Sequence, residues 1–408
     1  MNMIKKLLSP QSKKVAADLS YTIGASLILQ IALQLIIFPW INRTAGEEAL
    51  GEVVYYMGIL FIVSMSAGLA LCNARLVDRN KYPLANGDIF PMLMIFSGMS
   101  AVFCGGFAIA KGENLGFALS FALLSVLMVV RYYVQVEYRL SKNFKGQLLF
   151  NIIISAGFLL GLVLFGKFAS RFLIFAVGEL AVIMFILKKG TVLTPQKSTG
   201  HFSLFAKTSS FLIFSCLIDN LISQWDRIIL AEMIDKIATA QFFAFSTAGK
   251  SLQMLVGPIN ILLISYFTAN KKENINRRAF RKILLVLLGL SGAIYILSVI
   301  FTPVFISVFY PGMYGSLSFG LNIIVNLFHI LNLSSSVIIV LVLTERGAKT
   351  QMTIQMIYGL VFITASAVGT YFYQMAGFAI AGIAAGALRF ILIAAICLRY
   401  LPGEGKKG

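Results

Sequence analysis

The chain has 408 residues, 59% of them apolar and 12% charged, and its 34 Lys and Arg outnumber 16 Asp and Glu for a formal charge of +18. Soluble domains hold about 45–50% apolar and about 25% charged residues, so these proportions, with a mean hydropathy of +0.87, exclude a soluble enzyme carried on a single anchor. They also exclude disorder, which requires low hydrophobicity and high charge.

The apolar residues arrive in blocks of about 20, the length of helix that crosses about 30 Å of hydrocarbon. Met1 to Leu19 is basic and lacks both an apolar core segment and a small-residue cleavage site, so no cleaved leader is expected. Twelve spans follow, at 19–41, 50–72, 89–110, 115–134, 147–166, 170–187, 203–224, 238–267, 282–302, 317–343, 354–373 and 375–398. Gly257-Pro258 interrupts the eighth and predicts a kink there. Cys72, Cys104, Cys216 and Cys397 sit in or beside apolar blocks without metal-ligand spacing, as small packing residues do.

The basic residues test this count. Sorted by loop, 26 of the 34 Lys and Arg fall on one side, 6 on the other, and Lys250 and Arg389 lie inside spans. Lys and Arg are retained in cytoplasmic loops, so both termini are cytoplasmic and the number of crossings is even. The same rule accounts for the charge without a nucleic-acid partner, for which no binding module is present. Trp40 and Trp225 fall at the outer ends of spans, where indoles favour the headgroup layer.

The polar stretch Lys188 to His201, with Pro195 inside it, divides the spans six and six. The expected organisation is an N-terminal lobe at 1–187, a cytoplasmic linker at 188–202 and a C-terminal lobe at 203–408. Span 1 leaves as Trp40-Ile41-Asn42-Arg43 and span 7 as Trp225-Asp226-Arg227, a weak internal echo. Six crossings per half give repeats of the same orientation, and transporters place substrate sites between such halves.

Arg43, Gly46-Glu47-Glu48, Gly51 and Tyr55 after span 1 resemble the corresponding segment of bacterial O-antigen-type (Wzx-like) polysaccharide flippases. So does Asp226-Arg227-Ile228-Ile229-Leu230 after span 7, with Lys250 beyond it. These flippases export lipid-linked oligosaccharides and belong to the multidrug/oligosaccharidyl-lipid/polysaccharide exporter superfamily. Ala231, Ala240 and Phe242 depart from the residues the family often carries. The resemblance implies an all-α polytopic membrane protein of MATE-like architecture, with spans 1, 2, 7 and 8 walling a cavity between two six-helix lobes. It implies a lipid-linked oligosaccharide and membrane lipids as partners, polysaccharide polymerase and chain-length machinery nearby, and a bacterial inner-membrane location.

Polar side chains are costly in hydrocarbon, so their direction carries information. At 100° per residue, Ser246, Lys250, Gln253, Gly257 and Asn260 of span 8 fall within about 80°. Thr208, Ser215, Asp219, Ser223 and Asp226 of span 7 do the same. Span 1 carries Gln30 and Gln34, and span 10 carries Asn322, Asn326, His329 and Ser336. Singly, such residues glue helices together; as stripes on spans 1, 7 and 8 they point to a wet cavity. Lys250 lies roughly 18 Å from the outer end of its span at 1.5 Å per residue. It either meets the diphosphate of a lipid-linked sugar or pairs with Asp219 to set the lobe geometry. Arg389 either joins that site or reaches the cytoplasmic interface. Glu179 could pair with an Arg of a neighbouring helix, and His329 is a switch or an ordinary hydrogen-bonded residue. Arg43 and Arg227 are read as pins of the outer hairpins. Gly157 and Gly161, and Gly377, Gly382 and Gly386, are read as close-packing positions.

No Walker A, His-Glu-x-x-His or Gly-x-Ser-x-Gly pattern and no metal-ligand cluster occurs, so no cofactor, metal or catalytic residue is expected. Two other readings stay open: a cation-coupled multidrug exporter, which favours acidic cavity walls, and a membrane polysaccharide polymerase or ligase, which needs a catalytic outer loop. The orientation is directly testable. A fluorescent protein fused after Gly408 fluoresces, and alkaline phosphatase inserted after Lys111 is active; the reverse pattern would invert the topology.

Overall fold

The computed structural model describes residues 10–79, 81–166, 171–247, 249–251, 277–346 and 348–400, and among them there is helix and no strand. Helix α1 (Pro10–Gln30) runs through a wide π-helical turn at Ile31–Ile37 into α2 (Phe38–Leu60), and a second wide turn at Phe61–Met65 leads into α3 (Ser66–Asp78). The chain reverses at Gly46, whose φ of 88° and ψ of 174° lie in a region essentially restricted to glycine. Next come α4 (Asn86–Ala110), α5 (Leu115–Val134), the short α6 (Val136–Ser141), α7 (Phe144–Phe165), α8 (Phe172–Lys189) and α9 (Phe202–Met233). Helix α10 takes residues 236–247 and 249–251. It is followed by α11 (Arg277–Phe309), α12 (Phe319–Arg346) and α13 (Ala348–Tyr400), the last broken at Tyr373 and Gln374. Asn114 and Asn143 cap α5 and α7, their side-chain oxygens accepting from the N–H groups of Phe117 and Gly146, as first-turn donors require.

Eight helical stretches are long and apolar enough to cross a membrane. Two of them, Ser20–Asp78 and Met352–Arg399, contain the breaks just described and each make two crossings. Helix α8, 18 residues with Glu179, Lys188 and Lys189 among them, is not one of the eight, and most of the eighth span, Gly257-Pro258 included, lies outside the described residues. The protein is therefore an all-α polytopic membrane protein. The break at Tyr373–Gln374 falls between spans 11 and 12 as read from sequence. Helix α9 instead continues to Met233, so Arg227 lies inside a helix and not in an outer loop.

By contact the chain divides into two units, Met1–Ile228 and Ile229–Gly408. In the first, α4 packs on α5, α7 on α8, and α1 on α7. Gly157 faces Gly178 so closely that a Cβ would meet the Gly178 Cα at 2.5 Å. Tyr56 is ringed edge-on by Phe117, Phe121 and Phe172 at 4.9, 5.2 and 5.9 Å, and its hydroxyl donates to Glu113 at 2.7 Å. Glu179 meets Arg131 of α5 at 2.9 Å, both side chains under 10% exposed. Arg131, counted above with the cations of the cytoplasmic side, is thus spent inside the helix bundle. In the second unit α12 packs on both α11 and α13, and a Cβ at Gly382 would meet the Phe328 ring at 2.5 Å.

The stretch between α8 and α9 has no regular structure but is tied down. Glu137 accepts from the Thr191 and Val192 N–H groups at 2.8 and 3.0 Å, and Asn86 donates to the carbonyls of Thr191 and Thr194. Asp88 accepts from Ser198, from the N–H and hydroxyl of Thr199, and from the His201 N–H. Gly87 touches its backbone, a Cβ there falling 2.6 Å from the Ser198 nitrogen. The linker is a strap fastened to the first unit.

Removing one member of a buried ion pair leaves a charge in a medium that cannot solvate it. Glu179→Ala is expected to destabilise the protein by about 3–5 kcal/mol, and the double change Arg131→Leu with Glu179→Leu to recover most of that. Thermal unfolding of the purified chain measures both.

Candidate functional site

The second unit holds Lys250, Ser246, Asn326, His329 and Arg389 of the residues singled out from sequence. Lys250 is half-buried on α10, about 21 Å along the helix from residue 236. Its neighbour Gly249 lets α10 press on α12: a Cβ there would sit 2.7 Å from the Cβ of His329. His329 is buried and its ring lies 4.6 Å from that of Phe328. One turn on, Asn332 accepts from the Tyr358 hydroxyl at 2.7 Å. The Arg389 guanidinium lies 4.7 Å above the Tyr358 ring, within the range of a cation–π contact. Arg389 is 8% exposed, so its side chain is held inside the unit.

Two other residues of the set pack within helices. Ser246 is fully buried and its hydroxyl donates to the Phe243 carbonyl at 3.0 Å. Asn326 is fully buried too, donating to the Asn322 carbonyl and side chain and to Thr302 of α11, so it fastens α12 to α11. Gln253 and Asn260 lie outside the described residues.

In the first unit, Gln30 ends α1 and Gln34 lies in the wide turn after it, both half-buried. Such turns expose a backbone carbonyl and recur at functional sites. Asp219 is exposed on α9, and the adjacent Asn220 donates to Ser66 of α3 at 2.8 Å. Arg227 packs its side chain over Phe61, 5.6 Å from the ring centre, and against Gly58. It ties α9 to α2, which is the pinning role read from sequence, carried out inside the bundle.

Charge separates the halves. Beyond Asp235 the acids are Glu273, Glu345 and Glu404, all assigned to the cytoplasmic ends of spans by the loop analysis. The spans of the second unit therefore carry Lys250 and Arg389 and no mid-span carboxylate. A charge-assisted hydrogen bond from either cation is suited to a phosphate or carboxylate. Asn332 and Tyr358 were missed from sequence, although Asn332 lies at the margin of the Asn322–Ser336 stripe and Tyr358 shares a helix face with Gln351 and Gln355.

No protein-family profile matches the sequence, and no curated protein does. Solved structures do match over nearly the whole chain. The lipid II flippase MurJ in an inward closed conformation superposes with a TM-score of 0.73 at 14% identity, covering 94% of this chain and 88% of that one. A multidrug resistance MATE family transporter of the MOP superfamily, inward-facing, gives 0.67 at 12% identity over 93% and 98%. The Vibrio cholerae MATE transporter VcmN in its bent form gives 0.56 at 14% over 95% and 97%. The chain thus has the fold that these transporters and this flippase share.

The Gly249–His329 contact leaves no room for a side chain. Gly249→Val is expected to lower stability by about 1–3 kcal/mol through overpacking, and His329→Ala in the same chain to restore part of it, as read from the thermal midpoint.

Proposed function

We propose that the protein is a flippase of the bacterial inner membrane. It moves an undecaprenyl-diphosphate-linked oligosaccharide from the inner to the outer leaflet for cell-surface polysaccharide synthesis. The observation that carries this reading is the charge of the second unit: Lys250 half-buried within the span and Arg389 buried against Tyr358, with no acid in those spans. An intramembrane cation is costly and mostly functional, and an anionic diphosphate is its natural counter-ion. The fold shared with the lipid II flippase MurJ supports a lipid-linked cargo. The motif resemblance at Arg43–Tyr55 and Asp226–Leu230 points the same way.

The mechanism is alternating access of two lobes about a fixed site. Lys250, with His329 nearby on α12, receives the head group while the isoprenoid tail stays in lipid. Polymerase and chain-length machinery take up the exported unit. No bond is made or broken, so the protein is a transporter and not an enzyme.

The multidrug reading draws on the MATE fold, and cationic drugs need carboxylates in the cavity wall. Of the two candidates, Glu179 is buried and bound to Arg131, which leaves Asp219 alone. Anionic cargo fits the remaining charges better.

Lys250→Ala is expected to cut surface-polysaccharide export by about tenfold or more, the weight of one lost charge-assisted bond, while Lys250→Arg retains most of it. Full export by Lys250→Ala at normal protein level overturns the proposal. Drug resistance conferred by the unaltered chain, without polysaccharide export, establishes the multidrug reading instead.

A further inference from the structure

At the cytoplasmic end of the first unit a cavity of about 420 Å³ opens between α3, α6 and the strap, lined by Arg75, Arg79, Glu137, Ser141, Thr191 and Val192 among others. We propose that it binds a phosphate-bearing anion, at a place separate from the transport site.

Arg75 in the last turn of α3 and Arg79 at its C-cap stand four residues apart, and Arg79 keeps helical backbone angles, so their side chains share one face. Arg75 is positioned from behind, donating to the Tyr133 hydroxyl and to Asn86. That uses two of the five N–H donors of a guanidinium. Arg79, exposed at the rim, donates to the Leu140 carbonyl at 3.2 Å. Neither takes part in an ion pair among the described residues. The carboxylate lining the same cavity belongs to Glu137, and it is turned to the strap, where Thr191 and Val192 occupy it. Planar guanidinium forks with donors to spare match phosphate oxygens in pairs. The volume lies in the range of small-ligand sites, about 300–1,000 Å³.

The strap gives the site a consequence. Thr191 and Val192 form one wall, so an anion bridging Arg75 and Arg79 to that wall adds to the fastening of the segment that joins α8 to α9. The occupant is either the head group of an anionic lipid or a soluble phosphate compound; the chemistry recognised is the same.

The test uses the full chain in detergent, titrated with inorganic pyrophosphate and with short-chain phosphatidylglycerol, phosphatidylcholine being the uncharged comparison. Binding is followed by the thermal midpoint and by direct calorimetry. Both titrations are repeated in the Lys250→Ala chain, so that binding at the proposed transport site drops out and the two proposals fail separately. Arg79→Gln is expected to weaken binding about tenfold. Ser141→Glu, which places a carboxylate in the cavity from an exposed position, weakens it as much. Lys81→Gln, a neighbouring surface cation beside Asp78, leaves it within about twofold. Binding of pyrophosphate alone identifies a soluble ligand, and binding of the lipid alone a bilayer head group. Failure of both to exceed phosphatidylcholine, or an equal loss in Lys81→Gln, overturns the proposal.

Discussion

Hydrocarbon offers no hydrogen bonds, and every polar group placed within it must find a partner in the chain or in a cargo. That constraint orders the whole molecule. The backbone is satisfied by helices through most of the described spans, and many buried polar side chains are met inside the bundle, although the hydroxyls of Ser97, Ser155 and Ser298 are not. Arg131 and Glu179 neutralise each other at 2.9 Å, Ser64 meets Ser100 at 2.8 Å, and Ser291 meets Ser334 at 2.7 Å. Asn326 spends its amide on Asn322 and Thr302. Each joins helices at the modest cost and gain typical of such pairs in bilayers. The spans beyond Asp235 add Lys250, with no mid-span acid among them in the sequence.

At the cytoplasmic face the same chemistry meets water, and the acids change role. Asp88 and Glu137 face neither cargo nor lipid; they collect N–H and hydroxyl donors from residues 191–201. A linker of thirteen or so polar residues would otherwise behave as a flexible tether. Fastened this way it is part of the first unit, and it turns into α9 at Gly200, whose φ of 85° other residues rarely adopt.

Much of this was legible in the amino-acid order because the bilayer makes hydropathy and charge report on position. The span limits at 373 and 375 bracket the break at Gln374, whose φ is 53°. The Arg partner expected for Glu179 is Arg131, and the glycines read as packing positions do pack. The places that sequence hid are those where a local choice depends on a distant neighbour. The π turns at Ile31–Ile37 and Phe61–Met65 occur in ordinary apolar runs without proline or glycine at their centres. Helix α9 continues to Met233 because Arg227 finds Gly58 and Phe61 to lie against; read alone, Asp226-Arg227 looks like a loop. Asn326 sits in the polar stripe of span 10, yet only the placement of Thr302 on α11 shows that its amide faces a neighbour.

The division of acids between the halves links these levels. In the first unit four carboxylates are occupied, Glu179 by an arginine, Glu113 by Tyr56, Glu137 and Asp88 by the strap, while Asp219 is exposed on α9. In the second, the acids lie at the ends of spans with most of the cations, and only Lys250 and Arg389 lie within spans. A protein selecting cationic cargo would need carboxylates where cargo passes, and the spans beyond Asp235 hold none in mid-span. This follows from where acids are missing from the sequence itself and not from any one contact. The proposed preference for an anionic cargo rests on that absence, with Lys250 and Arg389 as the two cations within spans of the second half.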